Sequence, residues 1–398
     1  MSTKHSFVFR VLAAGATSQL ALVLVGFIRL PFIVSTFGST QFATFSSSLA
    51  ISFLLLSVSE ALRRTARELS KSNELRKSDF LKLAWPHVAL VFVASFLLIA
   101  GVAMTHERVK PDITILILVC ASGFVAIPVS FVIGCVEGQG QLTLVSQWTT
   151  ILTLLSLPLT MIGCSLHSII IVGLASVLPS SIPGLAAIRQ FNKVPNQNYP
   201  ARPENLLLLR NSYLSITASE TLVYAVDGIV ILAIAGPADA SVFAIVQRVA
   251  SAFAVAPVAL APYLAIYSSN QKSDKSVRLV QTVQVAIAVC LAISMLGGRE
   301  FIFGLLSGGE IQPNATVVLS AVANGLVLSL CGPVIQSVTT GRPLIKRAKL
   351  APLVAVSGLI LNVLLIAILG ASGAFIATAI STVLYALATA LILRVRSK

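Results

Sequence analysis

Charged side chains are scarce in this sequence, and acidic ones are scarcer than basic ones. Only 11% of the 398 residues are charged, whereas 56% are hydrophobic. Soluble domains carry about 25% charged residues. A chain this apolar has too few polar residues to cover a surface that faces water, so we expect its outer solvent to be lipid.

Residue sets that carry enzymatic chemistry are also lacking. No phosphate-binding glycine loop of the Walker type is present, the four histidines are scattered, and the five cysteines lie in or beside apolar runs. We therefore expect no catalytic residues, no metal site and no cofactor. The net charge of +14 does not indicate nucleic-acid binding, because the basic residues sit in short loops between apolar runs.

Long apolar runs dominate what is present. A helix needs roughly 20 apolar residues to cross the hydrocarbon core of a membrane. At that length the sequence predicts an all-α, polytopic membrane protein with about twelve transmembrane helices, arranged as two six-helix bundles around a central cavity. The predicted spans are Ser6–Thr36, Gln41–Ala61, Leu83–Thr105, Ile113–Cys135, Leu142–Cys164, Ser168–Ile188, Ser212–Ala235, Ala240–Ser268, Val277–Leu296, Thr316–Val338, Leu350–Leu369 and Gly373–Arg394. The apolar segment Arg299–Gly309 is too short to cross and suggests a turn of interfacial helix.

The basic residues fix the expected orientation. With the N-terminus in the cytoplasm, most of the 28 lysines and arginines fall on the cytoplasmic side, and only Arg108, Lys110 and Arg299 fall outside. Cytoplasmic loops of membrane proteins carry this excess of positive charge. The pattern therefore predicts a multi-pass protein of the bacterial inner membrane with both termini in the cytoplasm.

The chain divides at the polar stretch Gln190–Asn205, which predicts two similar halves, 1–198 and 199–398. At an offset of 198 residues, Gly38 aligns with Gly236 and Phe45 aligns with Phe243. Parallel repeats of six helices, related by an axis along the membrane normal, are typical of transporters that alternate access to a central site. The repeat therefore favours transport.

Ionisable residues within the predicted spans are the candidates for function, because each costs about 3 kcal/mol there unless it faces protein or water. Arg29 and Arg248 are predicted to bind an anionic substrate. Two alternatives stay open: Arg29 extends to the lipid headgroups, or Arg248 forms an ion pair with Asp227. Asp227 and Glu220 are predicted to act in coupling or gating by taking up a cation, although a structural role for Glu220 is equally open. Their spacing of seven residues predicts one helix face.

Three groups of residues form a recognisable pattern: Arg29-Leu-Pro31, Phe37-Gly38, Phe42 and Glu60-Ala-Leu-Arg63-Arg64; Asp227, Gly236 and Phe243-Ala-Ile-Val-Gln-Arg248; and Gly341-Arg342, Leu361-Asn362 and Gly370-Ala-Ser-Gly373-Ala374. In these residues the chain resembles, over essentially its whole length, the Wzx-type polysaccharide (O-antigen) flippases, a family of the multidrug/oligosaccharidyl-lipid/polysaccharide exporter superfamily. The family usually has tyrosine where this chain has Phe243.

The resemblance implies a flippase that moves a polyprenyl-diphosphate-linked oligosaccharide, an O-antigen or exopolysaccharide repeat unit, across the inner membrane by alternating access. Its partners would be the lipid-linked oligosaccharide and membrane lipids, with a polysaccharide polymerase and a chain-length regulator as further candidates. A second hypothesis is a cation-coupled multidrug or metabolite exporter of the same superfamily. A third is a membrane polysaccharide polymerase or ligase, which the short outer loops argue against.

Overall fold

The computed structural model describes residues 2–71, 80–105, 113–139, 141–181, 203–224, 226–255, 274–336 and 341–394. In these ranges the regular structure is entirely α-helical. The helices are α1 (Ser2–Lys71), α2 (Phe80–Thr105), α3 (Ile113–Gly138), α4 (Leu142–Ser165), α5 (Ile169–Ser181), α6 (Pro203–Tyr224), α7 (Asp227–Ile234), α8 (Pro237–Ala250), α9 (Asp274–Gly297), α10 (Arg299–Ser307), α11 (Ala315–Gln336), α12 (Gly341–Leu369) and α13 (Ala371–Arg394).

The predicted all-α membrane fold is confirmed. Among the described residues, seven helices are long and apolar enough to cross a membrane, or nine if each of two bent pairs counts as one span. Each of the twelve predicted spans overlaps one of the helices, and the first two both fall on α1. The ends of the spans Ser168–Ile188, Ala240–Ser268 and Thr316–Val338, and most of the linker Gln190–Asn205, lie outside the described residues.

Helix α1 is broken at a single glycine. Gly38 has φ 74° and ψ 166°, and this non-helical residue separates the first two predicted spans. Gly236, which precedes α8, has nearly the same conformation, with φ 91° and ψ −179°. This region of backbone space is open essentially to glycine alone. The two residues that align at an offset of 198 therefore share a backbone conformation as well as an amino acid.

The chain packs as two compact units. The smaller unit is Thr44–Val226, and the larger unit combines Met1–Ala43 with Asp227–Lys398. These units do not coincide with the predicted repeat boundary at 198/199, since packing and sequence repetition are different properties. The division into halves 1–198 and 199–398 stays a prediction.

In the smaller unit, α3 lies directly against the second part of α1. A Cβ atom on Gly134 would overlap the carbonyl oxygen of Arg63, and one on Gly138 would overlap the carbonyl oxygen of Arg67. Small residues four apart let two membrane helices bring their backbones together. Elsewhere in this unit α3 also packs on α2 and α5, and α4 packs on α5.

In the larger unit, α13 is the central helix. It packs along α11 and α12, and it also contacts α7 and α8. The close approach of α12 and α13 depends on Gly373, where a Cβ atom would overlap the backbone of Leu365. Because α7, α8 and α12 all meet α13, side chains from four helices can converge on one place in this unit.

Candidate functional site

The two candidate substrate-binding residues come close together within the larger unit. Arg29 on α1 and Arg248 on α8 are both partly buried. They lie near enough for their positive charges to repel one another. Both belong to segments that are long and apolar enough to cross a membrane, Thr17–Leu49 and Pro237–Val255. The structure thus joins two cations that are 219 positions apart in the sequence.

Local packing explains how α8 presents Arg248. Pro237 occupies the start of the helix, where a residue without an N–H group is tolerated. Phe243 is buried and packs on Phe375 of α13, with ring centroids 4.9 Å apart. Arg248 lies in the last turn of α8, where the helix dipole favours a positive charge. The apolar face of α8 therefore fixes the helix on α13.

Asp227 is the most buried carboxylate of the candidate set, with 2% exposure. One of its oxygens accepts a hydrogen bond from the Asn362 amide on α12, and the other accepts one from the Thr378 hydroxyl on α13 at 2.8 Å. In the part of the chain that the structure describes, no ion pair joins Asp227 to Arg248. The two side chains that donate hydrogen bonds to Asp227 are uncharged, so the structure does not contain the alternative in which Asp227 and Arg248 neutralise each other.

Glu220 lies in the smaller unit and is held by a different partner. Its carboxylate binds the Arg64 guanidinium at 3.3 Å, and Arg64 also contacts Glu60 at 3.4 Å. Helix α6 ends at Tyr224 and α7 begins at Asp227. Glu220 and Asp227 therefore lie on different helices and in different units. Their common helix face stays a prediction.

Arg63 completes the group of charges around Arg64. Its guanidinium binds Glu137 of α3 through two nitrogens, one of them at 3.1 Å, and it contacts Glu60 at 3.2 Å. A two-point contact of this kind is the strongest arrangement between arginine and a carboxylate. Glu60 thus pairs with both neighbouring arginines.

The sequence did not predict Asn362 and Thr378 as partners of Asp227, or Glu137 as the partner of Arg63. Two of these residues could have been noticed as polar residues in apolar runs. Asn362 interrupts the apolar run of α12, and Glu137 ends the apolar run of α3. Thr378 gave no signal, because threonine is common in membrane helices, where its hydroxyl can bond to its own backbone.

Comparison with solved structures identifies the fold. The chain is similar to the lipid II flippase MurJ in an inward closed conformation, with a TM-score of 0.64, 11% identity, and coverage of 96% of this chain and 87% of that chain. It is also similar to an outward-facing MATE family multidrug resistance transporter of the MOP superfamily, with a TM-score of 0.59, 14% identity, and coverage of 98% and 95%. The chain has the fold of MOP-superfamily transporters.

A third structure with the MOP fold is a transporter from Pyrococcus furiosus, with a TM-score of 0.55, 15% identity, and coverage of 98% and 95%. No protein-family model matches the chain, and no curated protein matches it by sequence. At these identities the likeness establishes the fold alone. The substrate is a separate question, which depends on the residues of this chain.

Proposed function

We propose that this protein is a transporter that flips a polyprenyl-diphosphate-linked oligosaccharide across the bacterial inner membrane by alternating access. The substrate would be an O-antigen or exopolysaccharide repeat unit. The observation that carries the proposal is the proximity of Arg29 and Arg248 within apolar, membrane-length segments. The flippase among the proteins of similar fold, MurJ, adds support for a lipid-linked substrate.

The charge pair has a direct physical consequence. Two like charges brought together in a region of low dielectric constant raise the free energy of the protein. An anion placed between the two guanidinium groups attracts both of them and so offsets their repulsion. Guanidinium groups also match the oxygens of phosphate in geometry. A diphosphate head group supplies several such oxygens. The pair Arg29 and Arg248 is therefore suited to bind a diphosphate.

Asp227 is proposed to couple transport to an ion gradient. Its hydrogen-bond donors, Asn362 and Thr378, are uncharged. A carboxylate buried with neutral partners is stabilised when it takes up a proton or a sodium ion. The side-chain oxygen of Asn362 is also buried without a hydrogen-bond partner among the described residues, which leaves an acceptor beside the carboxylate. Glu220, whose charge Arg64 already balances, is proposed to act in gating through that ion pair.

The test of substrate binding is a comparison of two substitutions at Arg248. Arg248→Ala is expected to abolish export of lipid-linked glycan, and Arg248→Lys is expected to retain part of it, since lysine keeps the charge but loses the two-point geometry. Arg210→Ala is the matched control, because Arg210 lies in an apolar helix but binds its neighbour Asn211. The readouts are accumulation of glycan on the cytoplasmic leaflet and binding of a polyprenyl diphosphate to purified protein. Full export by Arg248→Ala would remove Arg248 from the mechanism.

A cation-coupled multidrug or metabolite exporter is the second candidate. The buried carboxylate of Asp227 favours it, since an acidic group in the membrane attracts cationic compounds, and MATE transporters are among the proteins of similar fold. Purified protein in vesicles separates the two functions. Efflux of a cationic dye that is lost in Asp227→Asn, with no translocation of lipid-linked sugar, would establish the exporter and refute the flippase.

The orientation and the partners follow from the same proposal. The excess of lysine and arginine in alternate loops supports cytoplasmic termini in an inner-membrane protein. A flippase of repeat units would deliver its product to a polysaccharide polymerase and a chain-length regulator. Crosslinking in membranes that also contain these enzymes tests the association.

A further inference from the structure

Helix α10 runs across the axis of the helix that precedes it. The bend between α9 (its described part Gln284–Gly297) and α10 is 79°. Near its end, α9 exposes Ile293 and Leu296, which is the surface that a membrane-spanning helix offers to acyl chains. Because the bend directly follows this surface, α10 extends nearly perpendicular to the axis of α9 from the end of that helix.

Helix α10 is anchored to the protein along one face. Phe303 is fully buried, and Leu306 is 7% exposed. The Ser307 hydroxyl donates a hydrogen bond to the Phe303 carbonyl and accepts one from the Ile311 amide, which fixes the end of the helix. The direction of α10 and its rotation about its own axis are therefore set by packing in the larger unit.

The opposite face of α10 is apolar and exposed. Phe301 and Leu305 are four residues apart, hence on one side of the helix, and they are 76% and 62% exposed. Water is a poor environment for two such large side chains held side by side on a fixed helix. The exposed residues Ile293 and Leu296 of α9 closely precede this face in the chain, so acyl chains that cover the end of α9 can also reach Phe301 and Leu305.

Polar groups lie at the start of the same helix. Arg299 and Glu300 are in contact at 3.4 Å, and with Gln312 and Pro313 they line an open cleft of about 340 Å³. A basic and an acidic group together complement a phospholipid head group that carries both a phosphate and an amine. Helices with apolar residues on one side and charges on the other bind at the boundary between head groups and acyl chains.

We propose that α10 is a lipid-binding element that lies in the membrane interface where α9 ends. Phe301 and Leu305 insert among the acyl chains, while Arg299 and Glu300 stay at the level of the head groups. The inference is independent of the transported substrate, since it concerns only the contact of α10 with the surrounding bilayer.

Fluorescence quenching in vesicles tests the proposal directly. The chain has two tryptophans, Trp85 and Trp148, so replacing both with phenylalanine gives a background without tryptophan emission. In that background Phe301→Trp is introduced. Glu300→Trp is the matched control, because Glu300 is the residue next to Phe301 and its side chain is also exposed. The probes are lipids brominated in the acyl chain and aqueous iodide.

We expect Phe301→Trp to lose most of its emission to brominated lipid and little to iodide, and Glu300→Trp to show the reverse. Leu305→Trp is a second reporter with the same expectation, which keeps the test valid if one variant does not fold. Equal quenching of both positions by iodide would overturn the proposal. If the emission of the tryptophan at position 301 changes with the protein-to-lipid ratio and not with lipid bromination, the exposed face of α10 binds a second protein. That result would overturn the proposal as well.

Discussion

The backbone at Gly38 gives the sharpest prediction about this fold. A side chain at Gly38 would meet no atom within 4 Å, so space does not exclude other residues. The backbone conformation does exclude them, because residues with a Cβ atom essentially never occupy the region at φ 74° and ψ 166°. Gly38→Ala should therefore destabilise the protein through backbone strain alone.

Gly26 provides a control within the same helix. A methyl group added at Gly26 would also meet no atom within 4 Å, but this residue lies in regular helix. Strain of the type at Gly38 costs about 1–3 kcal/mol. An alanine in place of a mid-helix glycine stabilises by about 0.5–1 kcal/mol. The two substitutions add the same methyl group to α1 and are expected to change the free energy of unfolding in opposite directions.

The measurement is reversible unfolding of purified protein in mixed micelles. Gly236→Ala is expected to behave like Gly38→Ala, since the two glycines share their conformation. If Gly38→Ala unfolds at the same denaturant concentration as the unaltered protein while Gly26→Ala is more stable, the strain argument fails. The break in α1 would then have another origin than the glycine.

Three further predictions concern the charged groups and the orientation. Glu137→Gln is expected to lower the free energy of unfolding by about 1–3 kcal/mol. The loss is smaller than for a fully buried ion pair, because the Arg63 side chain is 32% exposed. A double-mutant cycle with Arg63→Met should show coupling, and additive effects would refute the contact. Thr378→Val and Asp227→Asn are expected to weaken the dependence of transport on an ion gradient. Ser381→Ala is the control and should leave this dependence unchanged, since the Ser381 hydroxyl donates its hydrogen bond to a carbonyl of its own helix. Equal effects of all three substitutions would contradict the coupling role. A fluorescent protein fused to the C-terminus should fluoresce, and an alkaline phosphatase fused there should be inactive; the reverse result would invert the orientation.

The spans could be predicted because lipid imposes a strong and local rule on composition. Every span needs a long apolar run, so hydropathy alone located the helices, including the interruption at Gly38. The ends were less accurate where a helix leaves the membrane. Helix α1 continues to Lys71, ten residues past the predicted end at Ala61, because Leu62, Thr65, Ala66 and Leu69 form a buried face among charged residues. Average hydropathy does not detect such a face.

The candidate site could be predicted only in part. A charge in an apolar run is visible in the sequence, so Arg29, Arg248, Asp227 and Glu220 could be named as candidates. Their partners depend on tertiary packing. Nothing local indicates that Asp227 accepts a hydrogen bond from Asn362, 135 positions away, or that Arg29 and Arg248 interact electrostatically. The helix boundaries at Tyr224 and Asp227 could not be predicted either, since two interrupted helices have the same apolar composition as one.

The glycine contact between α3 and α1 has a consequence for motion. The backbone of α3 at Gly134 lies close to the backbone of α1 at Arg63, and Glu137 of α3 binds the Arg63 side chain. The two helices cannot slide past each other without losing both contacts. We therefore expect α3 and the second part of α1 to move together. A spin label at Val125, which is 52% exposed on α3, would therefore report the displacement of a stretch of α1 that is too buried to be labelled itself.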